Sequence, residues 1–231
     1  MFLGHFGVAM AAQRVAPLPS LGTLVLAAQL VDGIWPIMVL MGLEKVHITP
    51  GITAASPLDF VWYPYTHSLL FGALWASALA GAYYAMRRDR TGAAWIAALV
   101  LSHWVLDVIS HRPDMPLWPG SPRLGLGLWN SLPASIAVEF ALLGAGAWIY
   151  SRATRARDAI GRWGFRAFVL TLAAIYLASV FGPPPPSERA LAWSALGGWL
   201  FVAWGYWIGR HRKARASAWA ITRSREWHTL S

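Results

Sequence analysis

The 231-residue chain contains no cysteine. Disulfides and thiolate metal sites are therefore excluded, and any metal must be held by nitrogen and oxygen. Charge is also scarce. Only 13% of residues are charged while 57% are hydrophobic, whereas an ordinary soluble domain has about a quarter charged. No basic region precedes the first apolar stretch, whose first Arg is Arg14, so the N-terminus does not read as a cleavable signal peptide and residues 1–231 are taken as the mature chain. No repeat of fixed period appears.

What fills the chain instead is apolar sequence long enough to cross a bilayer core, which takes about 20 residues per helix. Six windows qualify: Leu21 to Leu43, Thr66 to Met86, Thr91 to Ser110, Trp129 to Tyr150, Arg166 to Phe181 and Leu191 to Gly209. The fifth is shortest, and its apolar character extends back through Phe165 and Trp163. Met1 to Ala16 is apolar but too short to span, and Pro17 with Pro19 ends any helix there, which suits a half-membrane helix. The expected fold is all-α: a polytopic helical membrane protein of about six transmembrane helices plus that short N-terminal helix. Residues 1–212 form one transmembrane domain, and residues 213–231 form a basic cytoplasmic tail.

The net charge of +9 raises nucleic acid as a partner, but the distribution of charge argues against it. Basic residues cluster at Arg87, Arg88 and Arg90, at Arg152, Arg155, Arg157 and Arg162, and at Arg210, Arg212, Lys213 and Arg215. These clusters follow the second, fourth and sixth windows, as the positive-inside rule requires if all face the cytoplasm. A bacterial-type inner membrane protein with both termini cytoplasmic follows, with membrane lipid as its partner and no nucleic acid. Trp62, Tyr63, Trp118, Trp129 and Tyr150 near span ends suit interfacial anchoring.

Against this background a few ionisable residues stand out. In the third window His103, Asp107 and His111 are each four apart, so a helix presents them on one face. Such groups in an apolar helix need one another, a metal or water. At 1.5 Å rise per residue, His5 lies about 14 Å from the cytoplasmic face, Asp32, His103 and Glu139 about 18 Å, Asp107 about 24 Å and His111 about 30 Å. His67 begins the second window at the outer edge, and a broken start to that window would bring it closer to the others. Asp114 follows Pro113 and reads as a turn residue, and His47 sits in an external loop. His211 and His228 belong to the basic tail.

Several elements resemble the YdjM-like bacterial membrane proteins, described as membrane-bound metal-dependent hydrolases. These are Gly4-His5, Val31-Asp32, Thr66-His67-Ser68-Leu69-Leu70, Ser102-His103 followed by Asp107, and Pro116-Leu117-Trp118-Pro119. Where that family usually has Pro-Asp-x-Asp, this chain has Val31-Asp32-Gly33. The residue order is also similar to that of zinc-dependent phospholipase C, whose helical fold binds three zinc ions. That resemblance implies His5, Asp32, His67, His103, Asp107, His111 and Glu139 as metal ligands. Those enzymes also use an N-terminal amine, whereas Met1 here precedes the first His.

The expected activity is a membrane-embedded hydrolase of an ester or phosphoester bond, using water activated by one to three divalent ions, zinc by ligand type. Asp107 or Glu139 would accept a proton where it is not a ligand. The depth of the site implies a phospholipid or lipid-linked phosphoester as substrate. The rival is a transporter of protons or divalent metal, which needs polar groups continuing to the cytoplasmic side. There, Leu79 to Ala85 and Ala93 to Leu101 offer only Tyr83, Tyr84 and Trp95.

Overall fold

A computed structural model describes residues 1–215. It is an all-α polytopic membrane protein in which five helices, among the described residues, are long and apolar enough to cross a membrane. These are α2 (Leu21–Leu40), α4 (Leu69–Arg87), α5 (Arg90–Ser110), α6 (Leu132–Ala153) and α7 (Ala159–Phe181). The chain opens with the short α1 (Leu3–Ala12), the single turn α3 (Pro64–His67) precedes α4, and α8 (Glu188–Ala195) and α9 (Gly198–His211) complete the bundle.

Local chemistry sets the helix ends. Ser20, Ser68, Asp89, Ser131, Asp158 and Ser187 cap α2 and α4 to α8, each accepting a backbone N–H from the first turn. Arg88, in the left-handed region at φ 54°, ends α4 and turns the chain into α5. The window at Thr66 to Met86 is indeed broken at its start: Ser68 is extended, so α3 stands apart from α4 and carries His67 inward.

The sixth window departs from the expected single span. Through Leu196 and Gly197 the backbone tightens to bonds three residues back, Gly197 N to Ser194 O at 2.9 Å and Leu200 N to Gly197 O at 3.0 Å. Adjacent Gly197 and Gly198 weaken the helix there. The remaining α9 has 14 residues, about 21 Å of helix, less than the roughly 30 Å hydrocarbon core.

Three two-stranded ribbons tie the loops together. β1 (Lys45–Ile48) pairs with β2 (Leu58–Trp62), β3 (Met115–Pro116) with β4 (Arg123–Leu124), and β5 (Thr154–Ala156) with β6 (Arg212–Ala214), all antiparallel. Lys213, expected to start a tail, lies in β6 opposite Arg155, and His211 is the last residue of α9. The rest of the expected tail, with His228, lies outside the described residues. The connectivity brings the Arg87–Arg90 turn and the β5–β6 ribbon to the end of the bundle opposite β1 to β4.

Backbone-to-backbone packing holds the bundle at two crossings. A Cβ on Gly146 of α6 would stand 2.1 Å from the Gly7 carbonyl of α1, and one on Gly7 would stand 2.3 Å from the Leu142 carbonyl. Gly22 of α2 and Gly205 of α9 meet in the same way. Small residues at such crossings let helices associate where lipid removes the usual hydrophobic drive. The core between them holds Leu3, Phe6, Leu24, Leu99, Phe168 and Leu172. A second cluster of Trp35, Val46, Phe60, Tyr63 and Met115 closes the β1–β2 end.

Candidate metal centre

Asp107 is the hub. Its Oδ1 lies 3.1 Å from His5 Nε2 and 3.9 Å from His111 Nε2, and it also contacts the amino group of Met1. Its Oδ2 lies 3.1 Å from His103 Nε2 and 3.8 Å from His67 Nε2. Asp32 adds a second carboxylate, with Oδ1 3.2 Å from His67 Nε2 and 3.5 Å from His103 Nε2. The His5 and His103 rings stack in parallel, 3.7 Å apart.

Each element delivers its residue for a local reason. On α5 the four-residue spacing stacks His103 and Asp107 on one face, and His111 caps the same helix. On α2, Pro36 removes the backbone donor that would bond the Asp32 carbonyl, while the Trp199 indole donates to the Gly33 carbonyl at 3.2 Å. The helix is thus loosened where Asp32 projects. His5 rides on α1, whose Ncap side chain makes no capping bond. Glu139 of α6 does that job, accepting from Phe2 N and Gly4 N at 2.8 Å each. Both oxygens of Glu139 thus accept backbone donors, and the residue also lines the cavity beside the Asp107 cluster.

Hydrogen-bond direction fixes three imidazoles in one tautomer. His103 Nδ1 is 2.7 Å from the Ala28 carbonyl, which can only accept, so Nδ1 carries the proton. Thr66 donates its hydroxyl to Glu44 Oε2 at 2.6 Å and must therefore accept from His67 Nδ1–H at 2.7 Å. His111 Nδ1 donates to Asp114 Oδ1 at 2.9 Å, a carboxylate oxygen that also accepts from the Tyr63 hydroxyl at 2.8 Å. Burial, with the Asp114 carboxylate, holds the Tyr63 phenol well above its ordinary range, so it stays a donor. Burial pushes the His111 imidazole below its ordinary range, favouring the neutral form.

In their neutral forms these tautomers leave three Nε2 lone pairs facing carboxylates, acceptor facing acceptor, a conflict that either a second ring proton or a metal ion relieves. His103 Nε2 is buried with no hydrogen-bond partner at all. The separations suit a metal ion. Tetrahedral zinc ligands at about 2.0–2.1 Å stand roughly 3.3 Å from one another, matching the 3.1–3.8 Å separations between the Nε2 atoms of His5, His67 and His103 and their carboxylate oxygens. Two groups satisfy the geometry for an ion: His5 with His103 and Asp107, and Asp32 with His67 and His103. Outer hydrogen bonds that fix the ligand tautomer are the usual support of such sites.

The depth ruler placed His5 at about 14 Å, Asp32, His103 and Glu139 at about 18 Å and Asp107 at about 24 Å, near enough to meet, and the structure joins four of them, with Glu139 at the start of α1. His5 reaches Asp107 and His103, and Asp32 reaches His67 and His103. His67 is not at the edge, because α3 folds inward. Asp114 is not a free turn residue: it is buried against His111 and Tyr63. His47 is exposed, 3.7 Å from Glu188. Thr66 stood in the Thr66-His67 element, but its bonds to Glu44 and His67 were not read from the sequence.

A cavity of about 780 Å³ adjoins the cluster. The Asp32 side chain is 40% exposed into this space while the side chains of His67, His103 and Asp107 are at most 4% exposed. One side of the centre is thus open. Towards the other end, Leu24, Val25, Ile96, Leu99 and Val100 are buried in an apolar plug.

The family model of the YdjM inner membrane protein matches residues 1–183. No curated protein matches the chain, and no solved structure does.

Proposed function

Because the chain belongs to the YdjM inner membrane protein family, we propose that it is a membrane-embedded, metal-dependent hydrolase of an ester or phosphoester bond. The observation that carries this reading is the set of tautomer-locked imidazoles converging on Asp107 and Asp32 beside an open cavity. A structural metal site is closed on all sides, whereas a catalytic one keeps a position for water. Zinc fits the nitrogen and oxygen donors. When bound, a divalent metal supplies Lewis acidity that activates water and polarises the ester.

The residues divide the remaining work. His5, Asp32, His67, His103 and Asp107 would hold the metal. His111, with Nε2 3.9 Å from Asp107 Oδ1, would stand beside it. Asp32 faces the cavity, so besides ligating it would be placed to accept a proton from an attacking water. The balance is simple: the water oxygen bonds to the ester carbon or phosphorus, the ester bond breaks, and one water proton ends on the leaving alkoxide. Glu139 serves through α1, holding His5 in place. The apolar plug speaks against a transport pathway, since a carried ion or proton needs polar stations there.

The test is hydrolysis of bis-p-nitrophenyl phosphate and a carboxylic ester by the purified full chain, before and after chelation. Turnover that disappears with chelator, returns with zinc and is lost in Asp107→Asn supports the reading. A metal-loaded protein that turns over neither substrate contradicts it.

A further inference from the structure

Two ends of the 780 Å³ cavity differ in chemistry. One end is the cluster, with Asp32, His67, Asp107 and His111. The other is a hydrocarbon wall formed by Phe6, Leu26, Ile175, Val180, Phe201 and Val202. The volume lies within the roughly 300–1,000 Å³ of small-molecule sites. The helices α7 and α9 touch through Phe168, Phe201 and Trp204, with ring centroids 5.6–5.8 Å apart, and the C-terminal half of α7 lines the cavity opposite α8.

The wall is mainly apolar, and its free polar atoms are few: Gln29 Oε1 and the indole nitrogens of Trp35 and Trp204 are buried without a partner. The Ser179 hydroxyl donates to the Tyr176 carbonyl at 2.8 Å and the Ser194 hydroxyl to the Leu191 carbonyl at 2.8 Å, so both are spent on their own helices. No Lys or Arg is among the residues lining the cavity. Those three atoms are too few for the many hydroxyls of a sugar, and a polyphosphate would meet no Lys or Arg side chain. An apolar chain loses nothing there. The wall also reaches the outside of the bundle, where Ile175 is 41% and Leu200 is 72% exposed, on helices whose outward faces contact hydrocarbon in a membrane.

We propose that the cavity is the seat of a membrane lipid carrying a single ester or phosphoester group. Its head lies at Asp32, His67 and His111, its acyl chain runs along Ile175, Val180 and Phe201, and it enters sideways from the bilayer. This rests on the hydrolase reading for its chemistry but not for its binding. The lipid's group is split by the balance given above, with the acyl chain left in the cavity or the bilayer.

The experiment has two arms on the full chain. In the first, zinc-loaded wild type is given phosphodiesters in one detergent that differ only in chain length, about four to about sixteen carbons. Each buried methylene is worth roughly threefold to fourfold, so kcat/KM should rise at least about tenfold along the series, and Val180→Trp should flatten the rise while keeping its zinc. A flat series in the wild type overturns the proposal. In the second arm, native mass spectrometry follows the protein taken from vesicles of phosphatidylethanolamine and phosphatidylglycerol. A lipid adduct in the wild type that is lost in Val180→Trp supports the site even where no substrate turns over, which is a failure of the hydrolase reading alone. No adduct, or one equally retained in the variant, overturns the site.

Discussion

Thr66 Oγ1 lies 2.7 Å from His67 Nδ1 and 2.6 Å from Glu44 Oε2, so a single hydroxyl decides which nitrogen of His67 is bare. Glu44 is buried and takes two donors from Thr66, its backbone N–H and its hydroxyl. Burial pushes the Glu44 carboxyl up, against the pull of those donors.

Removing the relay should weaken metal binding without touching a ligand. Thr66→Val is expected to lower zinc affinity about 10–100-fold, as outer-sphere losses do, while Thr66→Ser keeps it. In Glu44→Gln the amide N–H can donate to Thr66 Oγ1, turning the hydroxyl towards His67 Nδ1 and moving the imidazole proton to Nε2. Competition against a chromogenic chelator measures the affinities, and ¹⁵N shifts of His67 report the tautomer. Unchanged affinity in both Thr66→Val and Glu44→Gln would remove the relay from the account.

Glu139 acts on the site through α1. Both its oxygens hold backbone donors of Phe2 and Gly4, so Glu139→Ala should release the start of the helix. Hydrogen exchange over Leu3 to Met10 should then quicken, and metal affinity should fall with it because His5 is carried there. A loss of metal with no change in exchange would mark Glu139 as a direct ligand instead.

The Gly7 and Gly146 crossing sets how closely α1 approaches α6. Gly146→Leu cannot be accommodated without moving a backbone, since its Cβ alone meets the Gly7 carbonyl at 2.1 Å. Overpacking of this kind costs about 1–3 kcal/mol. Thermal unfolding in detergent should show a clear loss, whereas Gly144→Ala, with open space around its Cβ, should be nearly silent.

At the far end, Asp158 caps α7 through Gly161 N at 2.8 Å and pairs with His211 Nδ1 at 2.7 Å. These bonds hold its carboxyl below the ordinary Asp range, the Gly161 donor first and His211 next. A lowered folded pKa gives stability that is present above the unfolded value and is lost as pH falls through the folded one. Asp158→Ala should therefore lower the melting temperature at neutral pH, with the difference closing below about pH 4. A difference that does not change with pH would contradict the assignment.

Much of this was legible in the sequence because helices translate spacing into direction. The four-residue step from His103 to Asp107 and the depth of Asp32 depend only on helical rise, and five of six windows became spans. The break at Ser68 was admissible from sequence but not locatable. The division at Leu196 and Gly197 was hidden because apolar content continues through it. The bonds of Asp114, Glu44 and Thr66 escaped because their partners are distant or in irregular loops, where no periodicity pairs them. Glu139 was counted to the same depth as Asp32 and His103, but depth does not tell a ligand from a helix cap, and the bonds it accepts from Phe2 and Gly4 are what give it the second role.

The central claim is that His103 Nε2, buried between two carboxylates without a hydrogen-bond partner, is a metal ligand. Elemental analysis of the full chain purified with zinc, set beside His103→Ala and Asp107→Asn, tests it directly. The wild type should carry at least about one zinc per chain under tight-binding conditions, and both variants should lose most of it while remaining folded by circular dichroism. A wild type free of metal after zinc loading, or a His103→Ala protein with unchanged metal content and affinity, would contradict the account.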